Sequence, residues 1–233
     1  MSVTVILAAL NEGANIGPVI RGCLPHAEEV LVVDDGSSDD TATVAAAAGA
    51  RVVQLSQNRG KGVAVRRGAH EARGDILVFM DADGQDDPAD IPAVLASLQD
   101  DVDMVVGSRF LGHFERDAIR PLHAWGNRAL TGMINGLFSA ALTDTQAGFR
   151  ALRRDRFLGC ALDAHGYDVE VDLLLEVLGT GGRIVEVPVT RRARAGGHSH
   201  LRTFRDGTRI ALRIGRQRLK RRRSGRGRSS PSR

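Results

Sequence analysis

The sequence predicts an α/β fold with a mostly parallel central sheet. Short runs rich in Val, Ile and Leu recur along the first half of the chain, at residues 3–9, 30–33, 51–55, 76–80 and 104–106. Such short apolar runs are typical of parallel strands whose two faces are both covered. Segments with helical patterns lie between them, as at residues 39–48 and 60–73, and this alternation is the order that builds a parallel sheet.

The second half of the chain is predicted to be mainly helical. The alternation weakens after Arg109, where a helical stretch at about residues 120–142 is followed by a helix near 169–178 and a last strand at 184–189. With 233 residues, 42% of them hydrophobic and 26% charged, the chain is long enough for one large core and too apolar to be disordered throughout. We therefore expect one large domain at residues 1–215.

No segment of the sequence is predicted to cross a membrane. The apolar start at residues 3–10 lacks a basic leader and ends after eight residues at Asn11, which is typical of a buried strand. The longest other uncharged stretch, residues 129–143, has 15 residues, fewer than the roughly 18 needed to span. Two cysteines in the whole chain favour a reducing compartment, so we expect a cytoplasmic protein with at most peripheral membrane contact.

The charge of the chain is divided between an acidic body and a basic end. Residues 191–233 hold 16 Lys and Arg and a single acidic residue, whereas residues 1–190 hold 16 basic and 27 acidic residues. From about residue 216 the sequence is rich in Arg, Ser and Gly. This composition buries too little apolar area to fold, so we expect residues 216–233 to be a disordered basic tail. Such a tail favours a polyanionic partner, either nucleic acid or an anionic membrane face.

Polar residues follow the predicted strands at the edge where open parallel sheets bind ligands. Asp81 and Asp83 stand two residues apart at the end of the strand at 76–80, so both carboxylates project from one face. A divalent cation relieves their mutual repulsion, and Mg²⁺ or Mn²⁺ prefers oxygen ligands of this kind, with Gln85 as a third candidate. The alternative is a solvated turn that starts a helix near Asp86.

Two further clusters have features of a nucleotide site. Asp35, followed by Gly36, ends the second predicted strand and can accept a hydrogen bond from a base, although a tight turn with a helix cap explains the same residues. Residues 58–62 open a helix with two glycines and Lys61, which fits an anion or an ordinary loop. The glycine patterns of dinucleotide-binding and P-loop proteins are missing, which argues against a dehydrogenase or a P-loop NTPase.

Six motifs resemble, in their order, those of family 2 glycosyltransferases, and more narrowly the dolichol-phosphate mannose synthase and polyprenyl-phosphate glycosyltransferase branch. They are VVDDGSSDDT (32–41), NRGKGVA (58–64), GDILVFMDADGQ (74–85), VVGSRF (105–110), DTQAGFRAL (144–152) and EVPVTRRARAGGHSH (186–200). The resemblance covers about residues 3–213 and is specific as a set, although each motif is short. It implies a GT-A fold over residues 1–215, with a nucleotide-binding α/β half and a helical acceptor-side half.

On the donor side, the resemblance assigns residues to a metal and to a nucleotide. Asp81, Asp83 and Gln85 correspond to residues that hold Mg²⁺ or Mn²⁺ against the donor diphosphate, and Asp83 is thereby a predicted catalytic residue. The residues that bind the donor nucleotide are then Glu12, Asp35, Lys61 and Asp81. Ala8 and Leu10 depart from the family's P-x-Y-N-E motif, in which proline and tyrosine are usual.

On the acceptor side, Arg109 corresponds to the arginine that contacts the acceptor phosphate, and it is the second predicted catalytic residue. Arg120 and Arg128 are further arginines that would position a phosphate by forked hydrogen bonds. His200 stands where relatives commonly have a lysine after Gly-x-Ser, so we include it among the predicted acceptor-phosphate residues.

The predicted reaction moves a hexose from a nucleotide-diphosphate sugar, of the GDP-mannose or UDP-glucose type, to polyprenyl or dolichyl phosphate with inversion. The metal would absorb charge on the leaving diphosphate, and a phosphate monoester, with a second pKa of roughly 6, attacks without a general base. The first alternative is a polysaccharide or soluble hydroxyl acceptor, which needs a base, and Asp168 or Glu170 is the candidate.

The basic end allows two readings of its partner. Residues 203–220 interleave apolar residues with arginines, as a basic interfacial helix does. We therefore expect a peripheral protein at the cytoplasmic face of an anionic membrane, reached through the tail or through a membrane-embedded partner. The second alternative function is a nucleic-acid-binding module. Residues 191–233 contain a single aromatic residue, Phe204, and this scarcity disfavours a nucleic-acid partner.

Overall fold

The computed structural model describes residues 1–113, 121–164, 166 and 168–193. The predicted tail at 216–233, the basic stretch at 203–220 and the predicted acceptor residues Arg120 and His200 lie outside the described residues. Within the described ranges, no helix is both long and apolar enough to cross a membrane.

Seven strands form one central sheet in the described part of the chain. In chain order they are β1 (Val3–Ala9), β2 (Glu29–Asp34), β3 (Arg51–Gln54), β4 (Ile76–Asp81), β5 (Met104–Ser108), β6 (Arg150–Arg153) and β7 (Ile184–Pro188). Their order across the sheet is β3-β2-β1-β4-β6-β5-β7, and every neighbouring pair is parallel except the two that β6 makes with β4 and β5. The predicted α/β fold with a mostly parallel sheet is therefore confirmed.

Helices connect the strands as the alternation predicts. The α-helices are α1 (Gly13–Cys23), α2 (Thr41–Ala47), α3 (Lys61–Glu71), α4 (Ile91–Ala96), α5 (Pro121–Phe138), α6 (Arg154–Leu158) and α7 (Val169–Gly179). Short 3₁₀ turns follow α1 and precede α4, at Leu24–His26 and Pro88–Asp90. The long helix predicted at about residues 120–142 is α5, and the helix predicted near 169–178 is α7.

Both faces of the sheet are buried, because successive residues of a strand point to opposite faces. Ile6 of β1 packs with Leu31 and Leu77 on one face, which α3, α5 and α7 cover. Leu7 packs with Val32 on the other face, which α1, α2 and α4 cover. A fully buried side chain of this size contributes roughly 1.5–3 kcal/mol, so the sheet is a rigid platform for the loops at its edge.

The sequence analysis predicted neither strand β6 nor the short helix α6 that follows it, and β6 is the one that bears on the site. Its sequence RALR begins and ends with arginine, whereas strands inside such a sheet are usually apolar. Arg150 is completely buried, and its guanidinium donates to the main-chain carbonyl oxygens of Thr145, Ala147 and Glu170. Because β6 runs antiparallel to β4, with Arg150 opposite Phe79, the segment before β6 lies at the carboxyl end of β4.

Candidate active site

Five polar segments meet at one edge of the sheet, where β1, β2, β4 and β5 end and β6 begins. This is the edge at which open α/β sheets bind ligands. β4 lies in the middle of the strand order, so the loop that carries Asp81 and Asp83 has the segments after β1 and before β6 as its neighbours.

Asp81, the last residue of β4, is held by a buried lysine. Its Oδ1 accepts a hydrogen bond from Lys61 Nζ at 2.5 Å, and the same Nζ lies 2.6 Å from Glu170 Oε1. Burial alone would raise the pKa of Asp81, but Lys61 and Arg191 outweigh it and hold that pKa well below its usual range. Asp81 is therefore ionised and fixed in orientation.

Gly148, in the segment before β6, allows the chain to approach this carboxylate closely. A Cβ atom at position 148 would lie 2.9 Å from Asp81 Oδ1 and 3.1 Å from both its Cγ and its Oδ2. Any side chain there would push Asp81 out of place. Gly148, the glycine of the DTQAGFRAL motif, thus leaves the space that the Asp81 carboxylate occupies.

Asp83 has the features of a cation ligand. Burial, followed by the charge of Asp81, raises the pKa of Asp83 to about 6, so the protein alone disfavours its ionised form. Its Oδ1 accepts a hydrogen bond from the main-chain N–H of Gln85 at 3.0 Å. Two neighbouring carboxylates fit a hard divalent cation. Within the described ranges no group of three or more His, Cys, Asp or Glu residues is arranged to hold a metal, and the role of this pair as metal ligands stays a prediction.

Gln85 and Arg191 link the aspartate loop to the chain after β7. Arg191 Nη2 donates to Gln85 Oε1 at 2.9 Å, and its Nη1 lies 2.6 Å from Asp86 Oδ1 and 3.9 Å from Asp81 Oδ2. The main chain adds a bond of 2.8 Å from the Arg192 N–H to the Gln85 carbonyl. The Gln85 amide oxygen therefore faces an arginine, and its role as a third metal ligand stays a prediction.

Asp35 lies at the end of β2 and closes the turn before α3. Its two oxygens accept the main-chain N–H groups of Arg59 and Gly60, both at 2.8 Å. Burial raises the pKa of Asp35, and the two amide bonds only partly offset this. Gly36 has φ +75°, and a Cβ atom there would lie 2.6 Å from the main chain of Gln57, so the glycine lets the two turns touch.

Glu12 follows β1 on the same edge and is also buried. Its main-chain N–H donates to Thr41 Oγ1 at 2.9 Å, and its Oε2 accepts from Asn15 Nδ2 at 2.9 Å. The structure thus brings Glu12 and Asp35 to adjacent strand ends, next to the loop of Asp81. Lys61 bonds to two carboxylates of the protein, and its role in binding the nucleotide stays a prediction.

Arg109, just after β5, is oriented by a carboxylate that the sequence analysis did not single out. Asp144 is fully buried, and its two oxygens accept from Arg109 Nε at 2.6 Å and Nη2 at 2.9 Å. Burial would lower the pKa of Arg109, but Asp144 outweighs it and raises that pKa. Among the described residues, Arg109 Nη1 has no hydrogen-bond partner, so the N–H groups at that edge of the guanidinium can still donate to an anion.

Asp144 is itself fixed from two other elements. Asn127 of α5 donates to Asp144 Oδ1 at 2.6 Å, and Glu186 of β7 accepts the main-chain N–H groups of Thr143 at 2.7 Å and Asp144 at 2.8 Å. The orientation of Arg109 therefore depends on contacts from α5 and β7. The acidic residue of DTQAGFRAL was the available signal, but pairing it with Arg109 required the antiparallel strand β6.

The other predicted acceptor-side residues are less closely engaged. Arg128 is exposed on α5, with its guanidinium carbon 5.4 Å from the centre of the Phe110 ring, next along the chain from Arg109. Of the two candidate bases for a hydroxyl acceptor, Glu170 is buried against Lys61, and buried Asp168 accepts the Gly166 N–H at 3.2 Å.

Arg191 was not predicted as a site residue, because four arginines between residues 191 and 202 look alike in sequence.

Comparison with known families identifies the chain. Residues 4–158, which include Asp35, the Asp81–Asp83 pair and Arg109, match the model of Glycosyl transferase family 2. The chain belongs to glycosyltransferase family 2. This confirms the resemblance inferred from the six motifs, and it makes the protein a hexosyltransferase of that family.

Curated family 2 proteins align with most of the chain. An uncharacterized glycosyltransferase of Mycobacterium tuberculosis is 32% identical over 216 residues, which is 91% of this chain and 94% of the relative. The undecaprenyl-phosphate mannosyltransferase of Micrococcus luteus is 34% identical over 86% of this chain and 88% of its own. The dolichol-phosphate mannosyltransferase of Pyrococcus furiosus is 32% identical over 87% of this chain and 60% of its own.

The fold resembles that of a solved glycosyltransferase. Glucosyl-3-phosphoglycerate synthase from Mycobacterium tuberculosis, in complex with Mn²⁺, UDP-glucose and phosphoglyceric acid, superposes with a TM-score of 0.76 at 26% identity over 94% of this chain and 80% of that one. The predicted GT-A fold is thereby confirmed for this family 2 enzyme. That structural relative binds both a divalent metal and a nucleotide sugar.

Proposed function

We propose that this family 2 enzyme transfers a hexose from a nucleotide-diphosphate sugar to a polyprenyl phosphate, with Mg²⁺ or Mn²⁺ as cofactor and inversion at the sugar carbon. One observation carries the proposal. Arg109, clamped by Asp144, keeps Nη1 available and is close enough to Asp81 to lower the pKa of that carboxyl. An arginine that can donate to a phosphate therefore lies within electrostatic range of the aspartate that would hold the metal. Relatives named for transfer to undecaprenyl or dolichyl phosphate support the acceptor class.

The donor would lie along the strand ends from β2 to β4. Asp35 and Glu12 are the buried carboxylates at the base-binding end, and Asp81 and Asp83 would hold the cation at the diphosphate end. When bound, the metal supplies positive charge against the developing charge of the leaving diphosphate. The donor sugar is a hexose of the GDP-mannose or UDP-glucose type.

The acceptor phosphate would attack without a dedicated base. A phosphate monoester has a second pKa of roughly 6, so it is largely dianionic at neutral pH. Arg109 would orient it through Nη1, and exposed Arg128 is the next described arginine on that side. The carboxylate of Glu170 is already paired with Lys61, which fits a reaction that needs no base from α7.

The decisive experiment is a transfer assay with a panel of acceptors. Purified protein is incubated with radiolabelled UDP-glucose or GDP-mannose and Mn²⁺, and with polyprenyl phosphate, 3-phosphoglycerate or no acceptor. We expect labelled product only with polyprenyl phosphate, loss of product with EDTA, and recovery with excess Mn²⁺ or Mg²⁺.

Other outcomes of this assay favour other functions. Transfer to 3-phosphoglycerate, or transfer that does not depend on polyprenyl phosphate, would support a soluble or polysaccharide hydroxyl acceptor. Absence of transfer from every donor, together with RNA binding that falls steeply with salt and is lost on deletion of residues 216–233, would support the nucleic-acid-binding alternative.

A separate prediction concerns membrane attachment. The nine Lys and Arg of residues 216–233 are expected to bind anionic lipid, because each basic residue near such a surface contributes about 1 kcal/mol. A chain that ends at residue 215 should bind phosphatidylserine vesicles at least about 100-fold more weakly at low salt. Its transfer to detergent-solubilised acceptor should be unchanged, and a full-length chain with those nine residues replaced by Gln should behave like the truncated one. Unchanged vesicle binding in both would reject a membrane role for the tail.

A further inference from the structure

Lys61, Asp81 and Glu170 form a buried triad, of which the reaction as proposed uses Asp81 but gives no role to Lys61 or Glu170. Lys61 is the first residue of α3, whereas Glu170 is the second residue of α7. The side chains of Lys61 and Glu170 keep only 16% and 9% of their surface exposed. An ammonium group that lies 2.5 Å from one carboxylate and 2.6 Å from another shares its charge between both.

Glu170 is poorly satisfied where it lies. Its Oε2 is buried and has no hydrogen-bond partner among the described residues, although a buried charged oxygen without a partner costs free energy. Glu170 and Lys61 also line a cavity of about 20 Å³, bordered mainly by apolar side chains such as Ile6, Phe79 and Leu173. That volume admits about one water molecule. The side-chain contact that the structure shows for Glu170 is its ion pair with Lys61.

We infer that Glu170 is a positioning residue for the metal site, acting on Asp81 through Lys61. The inference rests on the proposed function, since it assumes that Asp81 holds the cation. With Glu170 ionised, Lys61 divides its charge between Glu170 and Asp81 and contacts Asp81 through Oδ1. The other oxygen, Oδ2, lies 3.9 Å from Arg191 Nη1, beyond hydrogen-bond distance, and can still bind a cation. Without the Glu170 charge, Lys61 pairs more strongly with Asp81, and that pairing competes with the metal.

Direct Mn²⁺ binding tests this inference. The concentration of free Mn²⁺ is followed by electron paramagnetic resonance while full-length protein is titrated in the presence of UDP or GDP. Glu170→Gln, which preserves shape, is expected to weaken Mn²⁺ binding about tenfold, the effect of about 1.4 kcal/mol. In the transfer assay the same variant should raise the KM for Mn²⁺ about as much and keep kcat at saturating metal within about twofold. Glu176→Gln, further along α7, is the matched control and should bind Mn²⁺ as the parent does.

Two more variants separate positioning from general damage. Glu170→Asp keeps the charge and should restore at least half of the lost Mn²⁺ affinity on a logarithmic scale. In a Lys61→Met background, Glu170→Gln should change Mn²⁺ affinity by less than about twofold, because the lysine that transmits the effect is gone.

The possible failures are distinguishable. Parent-like Mn²⁺ affinity in Glu170→Gln would overturn the inference while leaving the proposed function intact, and so would a loss of kcat with an unchanged KM for Mn²⁺. An undiminished effect of Glu170→Gln in the Lys61→Met background would also overturn it. A parent protein that binds no Mn²⁺ with either nucleotide would overturn both the inference and the metal site of the proposed function.

Discussion

Asp83→Asn is expected to lower kcat about 100- to 1000-fold at saturating nucleotide sugar and acceptor, the range seen when one fixed electrostatic contact to a developing charge is lost. Asp83 differs from Asp81 in the direction of its pKa, because burial and the charge of Asp81 raise the pKa of Asp83 to about 6 whereas Lys61 and Arg191 hold that of Asp81 low. The negative charge of Asp83 is therefore costly to the protein alone, and a bound cation would repay that cost. The asparagine keeps the shape of the loop but removes the charge that a cation needs.

Stability measurements separate the two aspartates further. Because the raised pKa means that the folded state disfavours ionised Asp83, removal of its charge should leave the midpoint of thermal unfolding near pH 7 equal or higher. Asp81→Asn should instead lower it, since buried Lys61 would lose one of its two carboxylate partners. A site residue that is neutral or unfavourable for stability and essential for activity is typical of a functional position.

The control for Asp83→Asn lies four residues further on. The Asp87 carboxylate bonds to Arg192 and caps the turn Pro88–Asp90, so Asp87→Asn tests the loop without touching the aspartate pair and should keep kcat within about threefold. Transfer that persists in both Asp81→Ala and Asp83→Ala would contradict the assignment of the metal to this pair.

The sequence analysis predicted the parts of the fold that depend on local pattern. The runs at 3–9 and 76–80 are apolar over enough residues to require burial on both faces, and both are strands within one residue of their predicted ends. The sequence analysis did not predict β6, because a charged residue such as Arg150 does not indicate a buried strand. The burial of Arg150 depends on three carbonyl oxygens that only the folded chain brings together.

The residues of the candidate site also divide into those that local patterns mark and those that only the folded chain brings together. Asp81, Asp83 and Arg109 were found because strand ends and motif order mark them along the chain. Their partners were not, since Asp144 reaches Arg109 across 35 residues and Arg191 reaches Asp86 across 105. Long-range pairs of this kind depend on strand order and on the antiparallel insertion of β6, and single-sequence patterns contain neither. For Lys61, the sequence motif indicated a bound anion, and the structure shows that its ammonium group pairs with two carboxylates of the protein.

Arg109→Ala is expected to raise the KM for polyprenyl phosphate about 100-fold, because a charge-assisted arginine contact to phosphate contributes roughly 1.5–3 kcal/mol. The KM for the nucleotide sugar should change by less than about threefold, since Asp35, Glu12 and the aspartate pair are untouched. Arg67→Ala, which removes an exposed arginine paired with Glu71 on α3, is the matched control and should leave both values unchanged.

The buried partner of Arg109 requires a second variant. Removing Arg109 alone leaves Asp144 ionised and fully buried, and an uncompensated buried charge of this kind destabilises a protein by about 3–5 kcal/mol. The pair Arg109→Met with Asp144→Asn removes both charges, so it should recover most of that stability while retaining the high KM for the acceptor. Recovery of stability without recovery of acceptor binding would locate the phosphate contact at the guanidinium itself. Equal rises in KM for donor and acceptor in both variants would instead indicate that Arg109 supports the structure of the site. They would contradict its role as the acceptor-phosphate residue.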